Sequence, residues 1–116
     1  MSVVARNFYD YGLLYGHFYE HGADFSAADE YEYQEMARSF LNDDPIANPD
    51  LQQNIRANGD IVRFCAVTDE YGVMSPDGTI KTYFKPIPAH LAPPGTAMQK
   101  THPYRTNQEY FERSSS

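Results

Sequence analysis

The chain has 116 residues and a formal net charge of −7; it is 41% hydrophobic and 15% aromatic, with ten Tyr, seven Phe and no Trp. That length and apolar content fit one folded domain and exclude a disordered tail. No stretch approaches the ~20 apolar residues of a membrane span, the opening MSVVARNFYDYG lacks the apolar core of a signal peptide, and the single Cys65 cannot form an internal disulfide.

A cytoplasmic place of action follows as the expectation. The charge is uneven. Residues 1–50 hold ten Asp/Glu against Arg6 and Arg38, whereas residues 51–116 hold six against seven Lys/Arg. Phosphate affinity comes mainly from neutralising cations, so a nucleic-acid role has to rest on a local site in the second half.

From Asn7 to Gly22, Phe8, Tyr11, Tyr15 and Phe18 recur at spacings of three and four, which predicts an amphipathic helix stopped at Gly22. His17 and His21 lie with Leu14 on a neighbouring strip. Ser26, followed by Asp29 and Glu30, reads as the N-cap of a second helix that runs to about Leu41 and buries Tyr33, Met36, Ala37, Phe40 and Leu41. A shorter helix is predicted from Pro49 to Arg56, capped by Asn48.

The period then changes to two. DIVRFCAV, EYGVMS and TIKTYFKP predict a three-stranded antiparallel meander, with PDG as the hairpin turn between the last two strands. Strict alternation puts Ile80, Thr82 and Phe84 on one side and Thr79, Lys81, Tyr83 and Lys85 on the other; it sets Val62, Phe64 and Ala66 against Ile61, Arg63, Cys65 and Val67. Residues 86–103 are rich in Pro and small residues and predict a long irregular segment. Thr106 and Glu109 form a capping-box pattern that opens a C-terminal helix over about 106–113, followed by a frayed SSS end. The whole is an α+β fold in one domain over 1–116: helices over about 6–57 packed on a small antiparallel sheet over about 60–85, the irregular segment, and a short C-terminal helix.

Three groups of side chains could carry chemistry. Two histidines four apart on a helix are neighbours, and they suit packing, metal ligation with Glu20 or Asp24, or acid/base catalysis; HExxH is absent, so no metal is assigned. A sheet presenting Arg63, Lys81, Thr82 and Tyr83 near one another would offer cations, a hydroxyl and a phenol to a pentacoordinate phosphate, or simply a solvated face. Cys65, mid-strand, fits a small core residue better than a nucleophile. There is no glycine-rich phosphate loop, paired-Cys zinc spacing or GxSxG elbow, so no cofactor is expected.

The order HFYEHGADF, EYQEMARSFL, GDIVRFCAVTDEYGVMSPDGTIKTYFKP and HPYRTNQEYFERS, from His17 to Arg113, resembles the C-terminal toxin domains of bacterial polymorphic and contact-dependent inhibition systems. It is similar in particular to the RNase toxins of the barnase/EndoU/colicin/RelE-like superfamily. The resemblance implies cleavage of RNA, commonly tRNA, without a metal, by transesterification through a 2′,3′-cyclic phosphate. It also implies export within a larger toxin, action in the target-cell cytoplasm and neutralisation by a cognate immunity protein. By position it assigns His21 or His17 as general base or acid, with the other His or a Tyr as the second proton donor, Arg63 and Lys81 as phosphate ligands, Thr82 and Tyr83 as orienting groups and Tyr110 as a further candidate. The rival reading is a non-enzymatic module whose acidic, tyrosine-rich surface binds a basic protein or mimics nucleic acid.

Overall fold

The structure, a computed structural model, describes residues 3–115. Helices α1 (Tyr11–His21) and α2 (Glu30–Asn42) precede four strands, β1 (Leu51–Ile55), β2 (Ile61–Cys65), β3 (Glu70–Met74) and β4 (Ile80–Phe84), which pair antiparallel in chain order. A two-residue parallel pair, β5 (Ile87–Pro88) with β6 (Thr101–His102), leads to α3 (Asn107–Ser114). The α+β class is as expected: α2 covers one face of the sheet and α3 the other.

Two apolar clusters follow from this layering. Tyr33, Ala37, Phe40 and Leu41 of α2 meet Ile61, Cys65, Met74 and Tyr83 on one face, while Phe111 of α3 meets Val62, Phe64, Tyr71, Val73 and Phe84 on the other. β2 is therefore buried along its whole length. On the α2 face, Arg63, Gly72 and Tyr83 form one cross-strand row. Gly72 leaves room for Leu41 and Phe40, whose side chains would lie 3.0 and 3.3 Å from a Cβ there. The absence of a side chain at Gly72 thus lets α2 sit close to the sheet.

Several expectations are corrected. Residues 51–55 are not a helix but the edge strand β1, with Leu51 opposite Cys65 and Ile55 opposite Ile61. An isolated helix of eight residues is marginal, and strand pairing satisfies the outer edge of β2 instead. Asn48 still caps locally, its Oδ1 accepting from the Asp50 amide at 3.3 Å, but the chain turns there rather than winding. Likewise α1 starts at Tyr11, with the Asp10 carboxylate accepting from Leu13 N at 2.8 Å. The residues before it run beside β4: Arg6 N donates to Gly78 O at 2.8 Å, Ile80 N to Asn7 O at 2.9 Å, and Phe8 bridges Ile80. They cover a strand edge that would otherwise expose its backbone.

Only part of the predicted stripe over α1 is buried: Phe8 and Phe18 pack on the core. Leu14 and His21 point inward and His17 is partly buried, whereas Tyr11 and Tyr15 are exposed. A tyrosine carries its own polar tip and tolerates the surface, so its spacing alone does not define a core stripe. Asp29, not Ser26, caps α2; Ser26 adopts a left-handed backbone with φ 54° and ends a 3₁₀ turn over Gly22–Phe25.

In the sheet, the register slips between Val73 and Met74, so that Thr82 opposes Val73 while Ile80 opposes Met74. Lys81 is the extra residue of this bulge, and Ile80 joins Tyr83 on the α2 face instead of Thr82 and Phe84. At the C-terminus, Thr106 caps α3 as predicted, accepting from Glu109 N at 3.1 Å. Ser114 and Ser115 are not frayed: Ser115 Oγ accepts from Asn54 Nδ2 at 2.8 Å, and Ser114 O from Arg56 Nε at 2.9 Å. Ser116, the last residue of the SSS end, lies outside the described residues.

Candidate active site

α1 lies along β4 and leans on α2, so its inner face delivers His17 and His21 to the sheet edge. The His17 ring sits 5.2 Å from Phe8 and 5.8 Å from His21, and the His21 ring sits 5.2 Å from Phe84. The row continues through Tyr110, 6.4 Å from Phe84 in an edge contact, to His102, stacked on Tyr110 at 4.5 Å. Three of the four histidines thus occupy one line of aromatic rings.

Their hydrogen bonding separates them. His102 is satisfied at both nitrogens: Nε2 pairs with Asn107 Oδ1 at 2.8 Å and Nδ1 accepts from Tyr104 N at 3.3 Å. Asn107 Nδ2 donates to Asp69 Oδ1 at 3.1 Å, which turns its Oδ1 toward the ring and makes Nε2 the protonated nitrogen. His102 is a structural residue. By contrast, His17 Nδ1 and His21 Nδ1 are buried with no hydrogen-bond partner among the described residues. An unpartnered buried imidazole nitrogen is uncommon and is the kind of group that chemistry can use.

Burial favours the neutral form of both rings. Burial lowers the His17 pKa, and burial together with His17 and Lys100 lowers that of His21 to about 4. Lys100 arrives from the segment between β5 and β6 and is held by Asp24 Oδ2 at 2.7 Å, seventy-six residues away in sequence. A lowered imidazole pKa destabilises the fold in acid, because the unfolded chain takes up protons that the native ring refuses. Stability is expected to fall as pH drops from 6.5 toward 4, by up to about 3 kcal/mol for His21 at ~1.4 kcal/mol per pH unit. Urea unfolding of wild type and His21→Leu across this range checks the sign: the wild-type slope should be the steeper.

The other predicted site residues divide between the two faces. Thr82 shares the Phe84 face, and Tyr110 lies beside Phe84, its pKa raised by burial. Tyr83 lies on the α2 face, donates to Glu70 and is buried under Phe25 and Phe40; burial raises its pKa. Arg63 is on the same face and donates to Gln53 Oε1 at 2.9 Å and to the carbonyl of Asp43, the C-cap of α2. Lys81, on the bulge, binds Asp60 at 2.8 Å. The predicted cluster of Arg63, Lys81, Thr82 and Tyr83 is therefore not assembled, because pleating and the bulge send its members in three directions.

Arg56 and Lys81 share Asp60, and Lys100 pairs with Asp24. A guanidinium on helix C-terminal carbonyls is favourable, and Arg63→Met is expected to cost about 1–3 kcal/mol, read from urea unfolding. No pattern in the sequence pointed to Lys100 beside His21, or to the Asp69–Asn107–His102 chain; each joins segments far apart.

Among the described residues no group of three His, Cys, Asp or Glu is placed to hold a metal ion, and no helix is long and apolar enough to cross a membrane. Cys65 is buried in the α2-side core. Comparison with protein-family models and with curated proteins gives no match.

Proposed function

We propose that this domain is a metal-independent endoribonuclease toxin, with its centre at His17 and His21. The observation that carries this reading is the pair of adjacent imidazoles with buried, unpartnered Nδ1 atoms, near which Asp24 holds the Lys100 ammonium. RNA cleavage by transesterification needs a base, an acid and a cation, and this corner of the fold offers all three.

In the proposed reaction one imidazole removes the proton of a ribose 2′-hydroxyl, whose oxygen attacks the adjacent phosphorus. The bond to the 5′-oxygen breaks, that oxygen takes a proton from the other histidine, and a 2′,3′-cyclic phosphate remains. Both rings are neutral in the free protein, so the acid has to be charged on binding. An incoming phosphodiester raises imidazole pKa values by placing a negative charge beside them, offsetting the desolvation that lowers them. Lys100 then stabilises charge on the phosphoryl oxygens, while Thr82 and Tyr110 flank the site. Arg63, Lys81 and Tyr83 are assigned to the scaffold. In this reading the RNA is commonly a tRNA, a cognate immunity protein blocks the domain in the producing cell, and a larger exported toxin carries it to the target cytoplasm.

The test is incubation of the purified protein with total tRNA in EDTA, followed by end-group analysis. Fragments ending in 2′,3′-cyclic phosphate support the reading. Intact RNA, or cleavage only when a divalent metal is restored, overturns it.

A further inference from the structure

β1 ends the sheet with an open main-chain edge. Arg56 N donates to Asp60 O at 2.9 Å, so the main chain at residue 56 faces β2. The alternation of an antiparallel pair then turns Asn54 and Gln52 the same way, and Leu51, Gln53 and Ile55 outward. Leu51 N is taken by Asn48 O at 3.1 Å. No group among the described residues pairs with the outward N–H and C=O of Gln53 and Ile55, or with Leu51 O. At the other end of the sheet, residues 6–8 cover β4.

Strand edges in solvent are commonly guarded by Lys, Pro or a bulge, and β1 has none of these. Its sequence, LQQNI, carries no charge. Its polar side chains are held from both faces: Gln53 Oε1 accepts from Arg63 Nε at 2.9 Å, Gln52 pairs with Gln108 at 2.7 Å, and Asn54 Nδ2 donates to Ser115 Oγ at 2.8 Å. The edge is therefore a fixed template rather than a frayed end. Beside it, Ile46 and Ile55 line one cleft with Pro45 and Met74 and are 92% and 63% exposed.

We propose that β1 pairs with β1 of a second copy of this chain, antiparallel and centred on Gln53, joining the two sheets edge to edge. The free groups match this register. Gln53 N of each copy donates to Gln53 O of the other, and Ile55 N of each donates to Leu51 O of the other, while Leu51 N, already bonded, is left out. The same register sets Ile55 across from Leu51 and brings no charged side chain into the pairing. That self-match makes a second copy the occupant. Asp44 and Asp50 on the adjoining loop, with a net charge of −7 on each chain, oppose the contact, so it strengthens as salt rises. An edge pair of five residues falls short of the ~1,200 Å² of a stable interface, so the dimer forms at high protein concentration. β1 and β4 lie at opposite ends of the sheet, so this inference is independent of the ribonuclease reading.

The test is sedimentation velocity from about 10 µM to about 1 mM protein, in about 0.05 M and about 0.5 M salt. The expected result is a monomer that becomes a dimer as concentration rises, more readily at the higher salt. Gln53→Pro removes the central donor without changing the charge, at an outward-facing edge position that admits proline, and should weaken dimerisation about tenfold or more. Amide hydrogen exchange on the wild-type protein needs no variant. The Gln53 and Ile55 amides should exchange about tenfold more slowly at the high concentration than at the low one, while fast-exchanging amides outside β1 keep their rates. A monomer under every condition, a dimer formed equally by folded Gln53→Pro, or exchange at Gln53 and Ile55 that ignores concentration overturns the proposal.

Discussion

His17→Ala is expected to slow the proposed RNA cleavage by about 10²–10⁴-fold, the usual contribution of a positioned acid or base. His17 is only partly buried, so its loss opens less of a cavity than that of His21, and the variant should stay folded. Thermal unfolding recorded in parallel separates the two effects: a loss of rate at temperatures where the variant is native belongs to chemistry. His90, exposed on the Ala89–Leu91 turn, provides the control, since His90→Ala should leave the rate unchanged. The pH profile adds a second readout. With both imidazole pKa values lowered, His21 to about 4, the acid limb of kcat/KM should lie well below 6.5, where an unperturbed histidine would place it. A His17→Ala variant that cleaves at the wild-type rate would remove this residue from the mechanism.

Gly78→Ala is expected to destabilise the protein by more than about 3 kcal/mol. Gly78 closes the β3–β4 hairpin with φ at 89°, a backbone state that costs an L-residue about 1–2 kcal/mol. A Cβ there would also sit 2.1 Å from the carbonyl oxygen of Val4, against backbone that cannot rotate away. Overpacking of that kind adds about 1–3 kcal/mol and here forces apart the Arg6 N–Gly78 O bond that holds the N-terminal segment on β4. Gly95→Ala isolates the backbone part: φ is 85°, but the space around it is open. Chemical denaturation should show a small loss at Gly95 and a large one at Gly78. Equal losses would mean that the N-terminal segment gives way freely.

Where the sequence read correctly, a local signal was sufficient. The PDG turn, the Thr106 cap and the apolar set of α2 each depend on residues within a few positions of one another, and each forms as expected, save that Met36 is only partly buried. The misreadings share a cause as well. A pattern consistent with two structures was decided by partners distant in the chain. Polar LQQNI became β1 because β2 had an open edge, and the tyrosines of α1 turned outward because Leu14, His17 and His21 fit against β4 and Phe84.

The candidate site follows the same division. That His17 and His21 would be neighbours was legible from their spacing, because helix geometry alone brings residues four apart together. That their Nδ1 atoms lack partners, and that Lys100 pairs with Asp24 near His21, depends on contacts between segments far apart in the chain. The expected grouping of Arg63, Lys81, Thr82 and Tyr83 failed for a related reason. Strict alternation cannot anticipate a bulge at Lys81, nor that Arg63 would turn to the C-terminus of α2.

By itself, then, the sequence determined that α1, α2 and α3 are helical, the hairpin, the α+β class and the proximity of two histidines, all set by short-range sterics and periodicity. The tertiary structure decided which helix face is buried, where the sheet ends and which cations reach the imidazoles, because burial and pairing are settled by competition among segments that the chain order keeps apart.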